Sequence, residues 1–522
     1  MKELIFHRHF VPASRYDKTH CAVIDGTYSA TRDIHANRVS RLTHALRHEL
    51  RLQKQDRFAV LARNSHAYVE LYHAAFLGAG VITPLNLRLS AKELGYIICD
   101  SGAEVIFVDR HFSPLLEAAR KTAENWPIRK SVLIGDGDVV LDGRYEDLLN
   151  SAAPALPKEP EEEDIAVLMY TGGTTGLPKG VILDQRALIL NMYHQRIARP
   201  TQIDRPVALI QTPMFHAASL GTILSTYVMG GATVIVPAFE PELVLKEIER
   251  NKVTATLMVP TMIGMLLSHQ SYKPERLNSV RQLIYGASPM PEVLLAKLLA
   301  DAPQINLFQG YGMTESSASL TSLSADDHRR GGKRLHSVGL PVPGVELSIR
   351  DEAGNEVDIG DIGEVCAKGG NFMTGYWNKA DATEEAFRGG WYHTGDAGYL
   401  DEDGYLFLVD RVKDMIISGG ENIYSVEVEN AIADHPAISQ VAVIGIPDDT
   451  WGEAVHAVVV LKDGADTTEE EIMAHARKTI AGYKVPKSIS FRTDPLPLSG
   501  AMKVLKRDLR APFWQRQDNS IS

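Results

Sequence analysis

Apolar residues recur at helical spacing over 33–50, where Ile34, Val39, Leu42, Ala45, Leu46 and Leu50 share one face, and predict an amphipathic helix. The pattern then changes to short apolar runs bounded by polar or glycine residues, at 58–61, 81–84, 105–108 and 131–134. These runs read as buried strands, with helical stretches between them such as the one ending at Gly78-Ala79-Gly80. The same rhythm returns at 207–210, 233–236, 256–259 and 282–285. Strands alternating with helices predict an α/β fold with a largely parallel sheet, in two similar halves without a repeat of fixed period.

After about residue 340 turn signals become dense, as at Asp351-Glu352-Ala353-Gly354-Asn355 and Asp401-Glu402-Asp403-Gly404, with short apolar runs between them. This predicts an antiparallel β region, with 401–404 as a hairpin turn. The last stretch reads as a separate α+β unit, with helices at 426–432 and 469–480 and strands at 441–444, 455–460 and 489–491. The polar tail after Arg510 is expected to fray. The Pro- and Glu-rich segment 154–164 reads as a solvated loop between two parts. The division expected is 1–410 and 411–522, with Arg411 at the junction.

Composition narrows the function classes. The chain of 522 residues carries 54 Lys and Arg against 66 Asp and Glu, a net charge of −12, which argues against nucleic acid and anionic membranes as partners. Cys21, Cys99 and Cys366 lie far apart without a CxxC, which suits neither a metal site nor a disulfide framework, and a reducing, cytoplasmic location is expected. The N-terminus has no apolar core of a signal peptide, and no run approaches the ~20 apolar residues of a membrane span. The nearest candidate, 253–267, is interrupted by Pro260.

The most specific feature is an apolar run, 166–170, leading into Thr171-Gly172-Gly173-Thr174-Thr175-Gly176-Leu177-Pro178-Lys179-Gly180. Glycines let backbone N–H groups turn toward an anion, threonine hydroxyls add donors, and the lysine supplies a point charge for phosphate. It is not a Walker A loop, because Leu177-Pro178 intervenes before the lysine and 181–183 reads as another strand.

This loop resembles the signature loop of the adenylate-forming superfamily: acyl-CoA synthetases, aryl-CoA ligases, adenylation domains and luciferases. Further segments resemble the family's motifs in order. Gln309-Gly310-Tyr311-Gly312-Met313-Thr314-Glu315 is similar to the motif whose tyrosine stacks on adenine and whose glutamate binds Mg²⁺. Tyr392-His393-Thr394-Gly395-Asp396 is similar to the motif whose aspartate holds the ribose hydroxyls. Asp410-Arg411-Val412-Lys413-Asp414 resembles the ribose-contacting arginine and the interdomain hinge, here Lys413. Ser418-Gly419-Gly420-Glu421 resembles the loop that lines the pantetheine tunnel, and Leu496 to Arg507 the motif of the catalytic lysine, here Lys503. Met502 stands where the family usually has glycine. The resemblance covers most of the chain, from about 58 to 510.

What the resemblance implies is a large N-terminal domain of two αβ-layered subdomains plus a β subdomain, then a small mobile α+β domain carrying Lys503. ATP would convert a carboxylic acid to an acyl-AMP, and coenzyme A would take the acyl group as a thioester. Lys503, Glu315, Thr171 and His216 are the expected catalytic residues. Glu315 and Thr174 would hold Mg²⁺. Nucleotide and cofactor contacts are expected from 171–176, Lys179, Gly286, Ala287, Gly310, Tyr311, Gly312, Thr314, Asp396, Arg411, Gly419, Gly420 and Lys503.

Phe215, His216, Gly286, Ala287, Gly310, Met313 and Ala318 would line the acid pocket, an apolar one suited to a fatty or aryl acid. His216 stands where amino-acid-activating members have aspartate, which disfavours amino acids, since a buried ammonium would lack its partner. A carrier-protein thiol as acceptor, a luciferase-like oxygenase and a non-catalytic nucleotide-binding regulator remain as alternatives. The protein is expected as a monomer or homodimer. From Lys484 to Arg510 seven basic residues face two acidic ones, a local surplus that points to small polyanions.

Overall fold

The computed structural model describes the chain except for residues 1–2, 16, 140, 172–176, 412–413, 419–420, 449, 499–503 and 519–522. It divides into two compact units, Met1–Glu346 with Lys368–Phe387, and Leu347–Ala367 with Arg388–Ser522.

In the first unit the apolar runs become the central strands of two large sheets. Among the described residues one sheet has eight strands. Arg57–Leu61 lies between Val81–Pro84 and Val105–Asp109, all parallel, and Lys130–Ile134 continues the order. Ile165–Thr171 adds in parallel beside Val81–Pro84, and Lys179–Asp184 folds back antiparallel to it. Helices His66–Phe76 and Ala91–Ser101 cover the sheet; Ser65 and Ser90 cap them by accepting backbone N–H groups. Segment 154–164 is indeed loop, but it joins Tyr145–Ser151 to a strand of this same sheet rather than linking two parts. Its acids are engaged: Glu162 accepts from the Glu3 and Leu4 N–H groups, and Glu159 pairs with Arg8.

The second sheet has nine strands among the described residues. Its parallel core runs through Cys21–Asp25, Ala232–Ile235, Val207–Ile210, Ala255–Met258, Gln282–Gly286 and Asn306–Tyr311, with antiparallel strands at both edges. Pro260, the residue that interrupts the apolar stretch, opens helix Pro260–Leu267, a position where its missing N–H costs nothing. The helix expected over 33–50 is α-helical over Arg32–His44 and widens to a π turn at Ala45–Glu49.

The second unit carries residues 363–367 of strand Gly363–Gly369 and the strands Tyr392–Leu400 and Leu406–Arg411, all antiparallel, the last two joined by the 401–404 turn with Gly404 at φ 81°. A second sheet pairs Ile438–Asp448 with Gly452–Leu461 and packs helices Ser425–Ala433 and Glu469–Ala476 around Val428, Ile432, Val443, Val459 and Ile472. The latter helix is four residues shorter than its pattern. Helix Lys506–Asp518 runs on past Arg510, where Leu509 and Phe513, one turn apart, pack on Ala442, Ile444, Val458 and Leu496.

Candidate functional site

In the first unit, Thr171 and Lys179 are register partners at the ends of antiparallel strands, so the 172–176 loop, itself outside the described residues, springs from a fixed base. Lys179 Nζ lies 4.9 Å from the centre of the Tyr376 ring. The Tyr376 hydroxyl donates to Glu315 Oε1 at 2.9 Å. Tyr376 reaches this place because Gly375–Tyr376 pairs with Ile182 and Val181 on the strand that Lys179 begins. A cation, a phenol and a carboxylate are thereby gathered at the foot of the loop.

Glu315 sits in the 3₁₀ turn Thr314–Ser316 that follows strand Asn306–Tyr311. The next residues hold left-handed backbone without being glycine, Ser317 at φ 53° and Ala318 at φ 75°. Such strain persists only where the surroundings over-determine it. Here fully buried Asn371 donates to Ser316 O (2.9 Å) and Ser319 O (2.8 Å), Asn191 donates to Ser317 O (2.7 Å), and Ser317 Oγ donates to Asn371 O (2.8 Å). Met313 opens this turn, and a Cβ on Gly312 would lie 2.6 Å from the Ala318 carbonyl carbon, so the turn closes only on glycine.

The expected acid-pocket residues lie on neighbouring strand ends. Gly286 and Gly310 are register partners, and a Cβ on Gly286 would fall 2.1 Å from Gly310 O. Ala287 follows at φ 70°. Phe215 is buried against His216, ring centroids 4.6 Å apart, and His216 immediately precedes helix Ala217–Val228.

In the second unit Asp396, buried in strand Tyr392–Leu400, is the register partner of Arg411. The bulge of this strand at 394–396 hangs from Glu364. His393 Nδ1 lies 2.7 Å from Glu364 Oε2, Arg388 donates to the same oxygen at 2.7 Å, and the Gly395 N–H donates to Oε1 at 3.1 Å. Cys366 Sγ lies 3.3 Å from His393 Nδ1, and burial, with the Glu364 charge adding to it, pushes its thiol up to about 12. With both Glu364 oxygens taken by N–H donors, the trio is a hydrogen-bonded support for the bulge. Asp410 accepts the Ser425 N–H, and Ser425 Oγ in turn accepts from Lys506 at 2.6 Å. Leu498 and Val504 form an antiparallel bridge. Lys503 between them, and Lys413, Gly419 and Gly420, lie outside the described residues.

The basic surplus of 484–510 is smaller than its count. Lys484 pairs with Glu427, Lys506 with Glu429 and Arg510 with Asp414, all acids outside the segment. The motifs pointed to Glu315 and Asp396 but not to Tyr376, Asn371 or Glu364, which carry no pattern of their own. Tyr376 is 61 residues from Glu315, and only the strand pairing brings them together.

The family model of the AMP-binding enzymes matches residues 11–377, and that of the AMP-binding enzyme C-terminal domain matches 427–503. Feruloyl-CoA synthase of an Amycolatopsis species is 38% identical over 92% of this chain and 93% of its own. The long-chain-fatty-acid–CoA ligase FadD13 of Mycobacterium tuberculosis is 34% identical over 89% of each. Among solved structures, o-succinylbenzoate coenzyme A synthetase of Bacillus subtilis, in complex with ATP and magnesium ion, superposes with a TM-score of 0.83 at 29% identity over 96% of this chain and 98% of its own.

Proposed function

This chain belongs to the AMP-binding enzyme family, and we propose that it is an AMP-forming acyl-CoA synthetase acting on a fatty or aryl carboxylic acid. A carboxylate oxygen attacks the α-phosphorus of ATP, the α–β bridging bond breaks, and pyrophosphate leaves. The coenzyme A thiolate then attacks the acyl carbon, the C–O bond to phosphate breaks, and AMP leaves. The observation that carries this reading is the near full-length likeness to coenzyme A ligases, joined to the Lys179–Tyr376–Glu315 cluster at the foot of the loop.

Each residue has its task in this reading. Thr171, the 172–176 loop and Lys179 take the departing pyrophosphate. Tyr311 faces the adenine, Asp396 and Arg411 hold the ribose, and Lys503 bridges carboxylate and α-phosphate as negative charge accumulates between them. The carboxylate of Glu315 suits Mg²⁺, a hard cation that takes one or two protein carboxylates together with phosphate oxygens, and Thr174 would help to hold it. When bound, the ion neutralises phosphate charge. Tyr376 fixes Glu315 by occupying one of its oxygens. Lys413 is the hinge at a 410/411 boundary. Rotation there exchanges Lys503 for Gly419 and Gly420, which then line the path of the pantetheine.

Cys21, Cys99 and Cys366 are free thiols, consistent with the cytoplasm, and no helix among the described residues is long and apolar enough to cross a membrane. The protein is read as a monomer or homodimer without nucleic-acid partners. The test is incubation with ATP, Mg²⁺ and a panel of fatty and aryl acids, with either free coenzyme A or a phosphopantetheinyl carrier protein. Thioester on free coenzyme A supports the reading; thioester only on the carrier contradicts it.

A further inference from the structure

Arg199 ends helix Gln185–Ala198 and is only 5% exposed. A guanidinium so placed is unfavourable without an accompanying anion, yet its neighbours are neutral. Nε donates to Ser322 Oγ at 3.1 Å and Nη1 reaches Gln195 Oε1 at 3.4 Å. Among the described residues no carboxylate pairs with Arg199 and nothing accepts from Nη2. Burial alone lowers its pKa, to about 10, so the group stays charged at neutral pH.

Nη2 points at a gap in the strand beside it. It lies 2.6 Å from where a Cβ on Gly310 would be, so any side chain at 310 would displace the guanidinium. Gly310 pairs with Gly286, and both are among the residues expected to line the acid pocket. The helix that follows His216 approaches the same place, since a Cβ on its Gly221 would lie 3.0 Å from the Gln195 side-chain amide. The expected acid pocket, apolar by its sequence, thus has a cationic group beside Gly310.

We propose that Arg199 determines substrate specificity, its Nη2 binding an oxygen acceptor at the end of the acid remote from the reacting carboxylate, either a phenolic hydroxyl or a second carboxylate. The inference rests on the ligase reading and narrows its substrate class. A site built to hydrogen-bond an oxygen rejects the analogue lacking it.

The test uses the full chain with ATP, Mg²⁺ and coenzyme A on two matched pairs, 4-hydroxycinnamic against cinnamic acid and octanedioic against octanoic acid. Thioester is measured by mass spectrometry and kcat/KM is compared within each pair. The oxygen-bearing member of at least one pair should be preferred by about tenfold or more. Arg199→Met should bring that ratio to within about threefold of one, whereas loss of a merely structural arginine would lower both members equally and leave the ratio intact. Preference for the plain acid in both pairs, a wild-type measurement that needs no variant to fold, would overturn the inference and leave the ligase reading standing. No thioester from any of the four acids would overturn both.

Discussion

Tyr376 donates its phenolic hydrogen to Glu315 Oε1 at 2.9 Å, so the short strand Gly375–Tyr376 holds the carboxylate assigned to Mg²⁺. Tyr376→Phe removes this donor and leaves the ring beside Lys179. A hydrogen bond to a charged group contributes about 1.5–3 kcal/mol. The KM for MgATP is therefore expected to rise roughly ten- to hundredfold, with a small change in melting temperature. Titration of carboxylate-dependent pyrophosphate exchange with Mg²⁺ checks this; an unchanged titration would remove Tyr376 from the site.

Lys503→Ala separates the two half-reactions. Acyl-AMP formation should fall by about a thousandfold or more, since the proposed role of the lysine is to stabilise charge that develops only in that transition state. Thioester formation from supplied acyl-AMP should be largely retained. Equal loss of both steps would contradict the exchange of Lys503 for the Gly419-Gly420 loop.

Glu364→Ala should loosen the bulged strand that presents Asp396, because His393, Arg388 and the Gly395 N–H all lose their common acceptor. A loss of about 1–3 kcal/mol in nucleotide affinity is expected, read by calorimetric titration with AMP. Loss of stability without loss of AMP affinity would make the residue a general support only.

Stability should peak near neutral pH. His66 stacks on Tyr28 and hydrogen-bonds Asp25 Oδ2 at 2.8 Å. Burial lowers its pKa, but Asp25, Glu146 and Glu70 raise it more, to about 9. A folded value above the unfolded one means the contribution is complete below pH about 6.5 and is lost as pH rises through 9. Buried His73 has the opposite sign. Burial lowers its pKa to about 3, so its contribution is complete above pH about 6.5 and disappears as pH falls toward 3. Urea midpoints measured from pH 4 to 10 should show both limbs, and His66→Gln should flatten the alkaline one.

Much of the fold was legible because buried parallel strands are uninterrupted apolar runs. The runs at 58–61, 105–108 and 282–285 fall within Arg57–Leu61, Val105–Asp109 and Gln282–Gly286. A helix reaching past Arg510 was not legible because the composition there is polar; what docks it is one pair, Leu509 and Phe513, finding an apolar sheet face. For a related reason the count of charges at 484–510 does not show that Glu427, Glu429 and Asp414 lie opposite three of the bases. Motif residues such as Glu315 could be found from their neighbours in sequence. Tyr376, Glu364 and Arg199 could not, since each acts on a group far along the chain that only strand order brings near.

The most direct measurement follows one oxygen atom. The acid is supplied with ¹⁸O in its carboxylate, together with ATP, Mg²⁺ and coenzyme A, and the products are resolved by mass spectrometry. Attack of the carboxylate on the α-phosphorus followed by thioester formation leaves one ¹⁸O in AMP and none in pyrophosphate, with acyl-CoA formed in equal amount. Thioester accompanied by ADP and ¹⁸O-labelled phosphate, or by unlabelled AMP, would contradict an adenylate intermediate and with it the central claim.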